Sequence, residues 1–73
     1  MSGQITIRTS TEADRAEIAR LAALDSREAP AGDVVLGFVD DELRAAVGKR
    51  DAVADPFHRT AELVELLQLA QAA

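Results

Sequence analysis

Three short strand-like segments follow one another in the middle of this 73-residue chain, and they limit its fold more than any other feature. The first, residues 34–39 (VVLGFV), is apolar on both faces, which predicts a central strand. Residues 40–41 (Asp-Asp) make a tight turn into residues 42–47, so these two segments predict a β-hairpin. A second turn leads to a short strand at 52–55, which ends at Pro56 because proline has no amide hydrogen to donate. Turns this short require antiparallel neighbours.

Residues before this unit predict a strand followed by a helix. Residues 4–8 alternate polar and apolar and indicate a half-buried first strand. Thr11 suits an N-cap, and Asp14 can reach back to its amide in a variant of the capping box, so a helix should run from there to about Asp25. The apolar side of this helix carries Ile18, Leu21, Ala22 and Leu24.

A second helix should begin near Thr60, with Glu62 in its first turn, where the helix dipole favours negative charge. Its broad apolar face, which should mostly cover the sheet, consists of Leu63, Val64, Leu66, Leu67 and Ala70. The element order is therefore β-α-β-β-β-α, and residues 1–73 form a single domain. We expect an α/β fold of the α+β type, with two helices packed on a four-stranded, mainly antiparallel sheet.

Charge and composition disfavour several classes of function. Eight basic and 13 acidic residues give a net charge of −5, which argues against binding to nucleic acid or to an anionic membrane surface. The longest apolar run is too short to span a bilayer, and the N-terminus lacks the regions of a signal peptide, so a cytoplasmic location is expected. The chain has no cysteine and its single histidine is His58, so neither a disulfide nor a structural metal site is expected.

Three stretches, taken in order, resemble the GCN5-related N-acetyltransferases. Residues 5–14 (ITIRTSTEAD) resemble the first strand and helix start of that family, often written I-x-I-R-x-A-T-x-x-D. Residues 37–47 (GFVDDELRAAV) resemble its second and third strands, and residues 52–59 (AVADPFHR) its fourth strand and the entry to the cofactor helix. The resemblance covers nearly the whole chain but corresponds to the N-terminal half of the family's fold. It implies that residues 1–73 are a half domain of that type.

The resemblance also implies a cofactor site and shows where this sequence departs from it. In the family, amides of a glycine-containing loop wrap the pyrophosphate of acetyl-CoA, and a helix N-terminus adds its dipole. The corresponding residues 59–63 (RTAEL) contain no glycine, and Glu62 would place a carboxylate beside the phosphates. Glycine is also preferred by the family where Asp41 stands in the hairpin turn, although Asp tolerates a left-handed conformation. The family's later strands and its tyrosine acid are missing here.

These departures favour a non-catalytic structural, regulatory or protein-interaction module without a cofactor. The alternative is a minimal N-acyltransferase or acyl-CoA-binding protein, completed by oligomerisation. In that alternative, acetyl-CoA or CoA would be held by Arg59, Thr60 and their amides, next to His58. A third possibility is an unrelated small α/β module with a convergent pattern.

Individual polar and aromatic residues have simpler interpretations. Thr60 would cap the last helix and Arg59 would be a solvated surface residue. For His58 the sequence identifies no orienting partner and no nucleophile, so a structural or exposed role is expected rather than general-base catalysis. The aspartates and glutamates at turns are commonplace there and do not predict a metal site. We expect both aromatic residues to be core or core-edge residues: Phe38 and Phe57.

Small size predicts self-association. A chain of this length buries only about 60% of its unfolded surface, and oligomerisation is a common way to supplement such a core. Without a fifth strand alongside, the sheet edge from Ala52 to Asp55 would be unpaired and the last helix would lose part of its cover. The sequence therefore predicts a twofold-symmetric homodimer through that edge and the last helix, with another protein as an alternative partner.

Overall fold

In a computed structural model, residues 4–72 form one four-stranded sheet with two helices, and residues 1–3 and 73 of the predicted domain lie outside the described residues. The sheet order is β1-β2-β3-β4 and every neighbouring pair is antiparallel. The predicted α+β architecture and element order are confirmed. The elements are β1 (Ile5–Thr9), α1 (Arg15–Leu24), β2 (Val35–Val39), β3 (Glu42–Val47), β4 (Ala52–Ala54) and α2 (Ala61–Ala72).

The two helices pack on opposite faces of the sheet and create two separate cores. Helix α1 contacts β3 and β4, whereas α2 contacts β2 and β3. Residues of β2 and β3 contribute to both cores, and β2 is apolar on both faces, as the sequence predicts for residues 34–39. The α1 core contains Ile18, Leu21, Ala22, Val34, Leu36, Leu43, Ala46 and Val53. The α2 core contains Val35, Ala45, Val47, Leu63 and Leu67.

Gly37 allows α2 to approach the sheet closely. A Cβ atom at this position would lie 2.9 Å from Leu63 Cδ1 and 3.0 Å from Leu67 Cδ1, which is closer than carbon atoms normally approach. Both leucines are buried, so they have little room to retreat. The glycine therefore sets the distance between β2 and α2.

The hairpin turn between β2 and β3 has the backbone that the sequence predicts. Asp40 and Asp41 have φ angles of 52° and 67°, and positive values at both central residues define a type I′ turn. The Asp40 carboxylate accepts a hydrogen bond from the Gln4 amide at 2.9 Å, and the Asp40 amide donates to the Gln4 carbonyl at 2.9 Å. The turn thus also joins the start of β1 to the hairpin.

The N-terminus of α1 carries the predicted capping interaction. A 3₁₀ turn over Glu12–Asp14 precedes the helix, and the Asp14 carboxylate accepts hydrogen bonds from the Thr11 amide at 2.7 Å and the Thr11 hydroxyl at 3.1 Å. Both Asp14 oxygens also accept from the Arg8 guanidinium at 2.8 Å. These hydrogen bonds, from Arg8 first and then from the Thr11 amide, hold the pKa of Asp14 well below its usual range.

The first strand and several apolar side chains are more exposed than predicted. All five residues of β1 are exposed, and Ile5 and Ile7 retain 52% and 40% of their surface, so the expectation of a half-buried strand is wrong. The reason is that α1 packs mainly on β3 and β4 and α2 on β2 and β3, so β1 receives little cover from either helix. The prediction of a core position is also wrong for Phe57, which lies exposed in the turn before α2, whereas Phe38 packs against the α1 core. Other exposed apolar residues are Leu24, Leu66 and Leu69.

Neither helix within residues 4–72 is long and apolar enough to cross a membrane. The two helices span 10 and 12 residues, whereas a bilayer needs roughly 20.

Candidate functional site

Four polar side chains converge where β4 ends and the turn to α2 begins, and we call them the Asp55 cluster: Glu42, Arg44, Asp55 and His58. The register between β2 and β3 shifts at Gly37 and Phe38, which leaves Arg44 as an extra residue of β3 without a partner in β2. Such a bulge redirects side chains. In β3, Leu43 and Ala46 belong to the α1 core, whereas Ala45, which lies between them in sequence, belongs to the α2 core.

Asp55 is the centre of this cluster. Its amide donates to the Arg44 carbonyl at 2.8 Å, which extends the β3–β4 ladder by one bond and places the two side chains together. Arg44 Nη1 donates to Asp55 Oδ2 at 2.8 Å, and the Phe57 amide donates to Asp55 Oδ1 at 2.8 Å. On its other side, the Arg44 guanidinium contacts Glu42. Only 6% of the Asp55 side chain is exposed, so the carboxylate is buried and fully partnered.

The same contacts determine the charge of Asp55. The amide hydrogen bond from Phe57 lowers the pKa of Asp55, and the Arg44 and His58 side chains lower it further, whereas burial acts in the opposite direction. The net effect keeps the pKa below its ordinary value, so Asp55 is ionised at neutral pH. A buried carboxylate in this state needs the hydrogen bonds that surround it.

His58 has a partner that the sequence analysis did not find. Its Nδ1 lies 3.0 Å from Asp55 Oδ2, so the expectation that no residue orients this histidine is wrong. The i, i+3 spacing in Asp-Pro-Phe-His and the tendency of an aspartate to bond the amide two residues on were the available signals. His58 is nevertheless 51% exposed, and within the described residues no hydroxyl group is hydrogen-bonded to its ring.

The arrangement holds the turn before α2. A histidine oriented by a carboxylate acts as a general base only where a nucleophile or a substrate lies beside it. Across residues 4–72 there is also no group of three or more His, Cys, Asp or Glu side chains that could hold a metal ion. The cluster links β3, β4 and the start of α2 through one carboxylate.

Arg59 and Thr60 lie at the start of α2, beyond the reach of the Asp55 cluster's hydrogen bonds. The Thr60 carbonyl accepts the first intrahelical bond, from the Val64 amide at 2.8 Å, which is the backbone role of an N-cap. Its hydroxyl, however, makes no hydrogen bond within the described part of the chain, so the predicted capping by this side chain is not formed. Arg59 is exposed and lines a cleft of about 490 Å³ together with Ile5, Val39 and the first turn of α2.

The backbone before α2 does not form a phosphate cradle. Amides that converge on an anion usually require a residue with positive φ. In the described range, the residues with positive φ are Ser26, Gly32, Asp40 and Asp41, and none of them lies between residues 55 and 62. Two carboxylates, Asp55 and Glu62, flank this turn, and they would repel a phosphate. His58 bonds to Asp55, whereas Arg59 lines the cleft beside α2 and the Thr60 carbonyl begins the helix.

No protein-family model, curated protein or solved structure matches this chain. The resemblance to the acetyltransferases therefore stays a prediction from the order of the sequence motifs.

Proposed function

We propose that this chain is a non-catalytic interaction module, related to the N-terminal half of the acetyltransferase fold, that acts as a homodimer. The observation that carries the proposal is the uncovered apolar surface on the α2 side of the sheet. Ile5 and Ile7 pair with Val39 and Gly37, so they share the sheet face on which α2 lies. With Leu66 and Leu69 of α2 they leave four large apolar side chains exposed on that side. Surfaces of this kind mark protein–protein contacts.

The turn before α2 supports a non-catalytic role. Its polar groups are engaged in holding the chain: the Phe57 amide and the His58 ring both bond to Asp55. A buried, ionised carboxylate at the place where a cofactor phosphate would approach opposes anion binding. We infer that this segment starts a helix that the small core needs.

The homodimer is tested by sedimentation equilibrium at micromolar concentration. We expect a mass twice the 7.8 kDa of the chain, and a melting temperature that rises with protein concentration because association stabilises the folded state. A folded monomer whose melting temperature is independent of concentration would overturn the proposal.

A second candidate function, binding of acetyl-CoA or CoA, is favoured by one observation. The cleft beside α2 combines an apolar wall, from Ile5, Val39 and Leu63, with the exposed Arg59, and its remaining lining is the start of α2 at residues 60–62. Titration with each cofactor tests it, because a ligand at 100 times its dissociation constant stabilises by about 2.7 kcal/mol. Arg59→Gln should abolish the stabilisation, whereas Arg50→Gln, at an exposed turn position, should not. No stabilisation at millimolar cofactor leaves the non-catalytic module as the explanation.

A further inference from the structure

Within residues 4–72, the outer edge of β1 presents unpaired backbone groups. The Asp40 amide bonds to the Gln4 carbonyl, and the Ser10 amide bonds to the Val34 carbonyl. In an antiparallel pair the bonded residues alternate along the strand, so the even-numbered residues of β1 bond to β2. The N–H and C=O groups of Ile5, Ile7 and Thr9 therefore point away from the sheet, along an edge whose residues are all exposed. The Thr9 carbonyl accepts a hydrogen bond from Arg8 Nη1 at 3.3 Å, whereas the groups of Ile5 and Ile7 have no partner among the described residues. Only another extended strand can satisfy them in series.

The opposite edge of the sheet is protected. Strand β4 has three residues, and its Ala54 amide points outward but donates to the Asp25 carboxylate at 3.2 Å. A short edge with an inserted charge resists pairing with another strand. Because one edge is protected and the other is not, β1 is the edge that remains open for a partner.

The sequence of β1 is complementary to itself. Residues 4–8 (QITIR) read polar, Ile, Thr, Ile, polar, so the pattern is symmetric about Thr6. When two such strands pair antiparallel with Thr6 on a twofold axis, Ile5 of each meets Ile7 of the other, and Gln4 meets Arg8. The outward groups of Ile5 and Ile7 are the ones that bond in this register, and Thr6 faces its copy in the closer, non-hydrogen-bonded pair.

We propose that two copies of this chain pair through β1 in this register and double the four-stranded sheet, which specifies the contact of the homodimer proposed above and depends on it. Each Ile5–Ile7 pair exchanges both N–H···O=C bonds, and the paired β-branched side chains add packing on the α2 face. Ile5 and Ile7 of both copies then form one continuous apolar surface between the two copies of α2. This places the contact at β1 rather than at the sheet edge from Ala52 to Asp55 that the sequence predicts.

Charge favours a second copy as the partner and selects the register. The single charged side chain of β1, Arg8, is neutralised by Asp14, so this edge carries no net charge although the chain carries −5. A register centred on Arg8 would oppose two guanidinium groups, and one centred on Ile7 would set Ile5 against Thr9. Only the axis at Thr6 pairs like with like along the strand.

A single cysteine tests the contact and its register together. The chain has no cysteine, so Thr6→Cys introduces one exposed thiol on the proposed axis. Paired residues of this type have Cα atoms about 4.5 Å apart, which lies within the range of a disulfide. We expect this variant to form a covalent dimer under mild oxidation, whereas Gln4→Cys and Ile7→Cys, both off the axis, cross-link at least tenfold more slowly. Equal rates for the three variants would overturn the proposal.

Two proline substitutions separate the two edges of the sheet. Ile7→Pro removes an outward amide from β1, and Ala52→Pro does the same at β4, since the Ala52 amide shares the outward direction of Ala54. If β1 forms the contact, Ile7→Pro gives a monomer and Ala52→Pro stays a dimer, with circular dichroism checking that both fold. If only Ala52→Pro dissociates, the β1 contact is wrong and the homodimer stands. A monomeric parent chain would overturn both proposals. If Ile7→Pro does not fold, the cross-linking rates of the three cysteine variants test the β1 contact instead.

Discussion

Asp14 and Asp55 occupy equivalent positions in two different regions of the molecule. Each lies at the approach to a helix, accepts a hydrogen bond from a nearby backbone amide, and pairs with an arginine from a strand. They differ in surroundings: Arg8, the partner of Asp14, lies on the exposed outer strand, whereas Arg44 lies on a central strand and leaves Asp55 with 6% exposure. The Arg8 and Asp14 side chains keep 44% and 14% of their surface, against 20% and 6% for Arg44 and Asp55, so the first pair lies nearer to solvent.

The difference teaches that burial, rather than the number of bonds, decides how much each aspartate matters. An exposed ion pair gains little because water and salt screen it. A buried carboxylate is costly to leave without partners, so removing part of its network is strongly destabilising. We therefore expect the Asp55 cluster to be essential for the fold and the Asp14 pair to tune the end of α1.

The largest expected effect is that of Asp55→Asn. This substitution keeps the shape of the side chain but removes the charge that Arg44 and the Phe57 amide require, and the free energy of unfolding should fall by about 1.5–3 kcal/mol. Urea denaturation followed by circular dichroism measures it. Asp51→Asn, at an exposed position before β4, is the matched control and should change stability by less than about 0.5 kcal/mol.

Acid should reveal the same network. Both aspartates have a pKa in the folded state below the unfolded value, so each contributes stability that is complete above about pH 4 and is lost as the pH falls towards the folded pKa. Denaturation series between pH 7 and pH 2 should show this loss for the parent chain and a shallower loss for Asp55→Asn. An unchanged pH dependence in that variant would contradict the role given to Asp55.

Asp14→Asn should destabilise less than Asp55→Asn. The side-chain oxygen of the asparagine can still accept the hydrogen bond from the Thr11 amide. The ion pair with Arg8 is lost, but the Arg8 side chain is 44% exposed, so this pair contributes little. The effect should shrink further at 1 M salt, where charges are screened within about 3 Å, whereas that of Asp55→Asn should persist. Thermal denaturation of both variants at low and high salt makes the comparison directly.

The smallest expected effect is that of His58→Gln. Half of the His58 side chain is in water, so its bond to Asp55 is worth less than about 1 kcal/mol. A loss comparable with that of Asp55→Asn would show that the ring, rather than the amide and Arg44, holds the carboxylate. Urea denaturation at pH 7 distinguishes these outcomes.

Local patterns predicted the elements well because their causes are local. The Asp40-Asp41 turn, the Thr11–Asp14 cap and the doubly apolar strand at 34–39 each depend on neighbours within a few residues. The Asp55 cluster escaped prediction because Arg44 meets Asp55 only through the bulge in β3 and the β3–β4 register. The exposure of β1 was not predicted for a similar reason. The alternation of polar and apolar residues indicates a strand with two different faces, but it does not show whether a helix covers the apolar face.

The type I′ turn also bears on the order in which the sheet assembles. It joins β2 to β3 through a two-residue loop, so closing this hairpin sacrifices little chain entropy. Strand β1, by contrast, reaches β2 only after α1 and the loop that follows it have been spanned. We expect the hairpin to form the folding nucleus and β1 to dock late, attached to the hairpin turn by the Gln4–Asp40 hydrogen bonds. During synthesis β1 would then emerge before β2 and β3 but dock after they have paired.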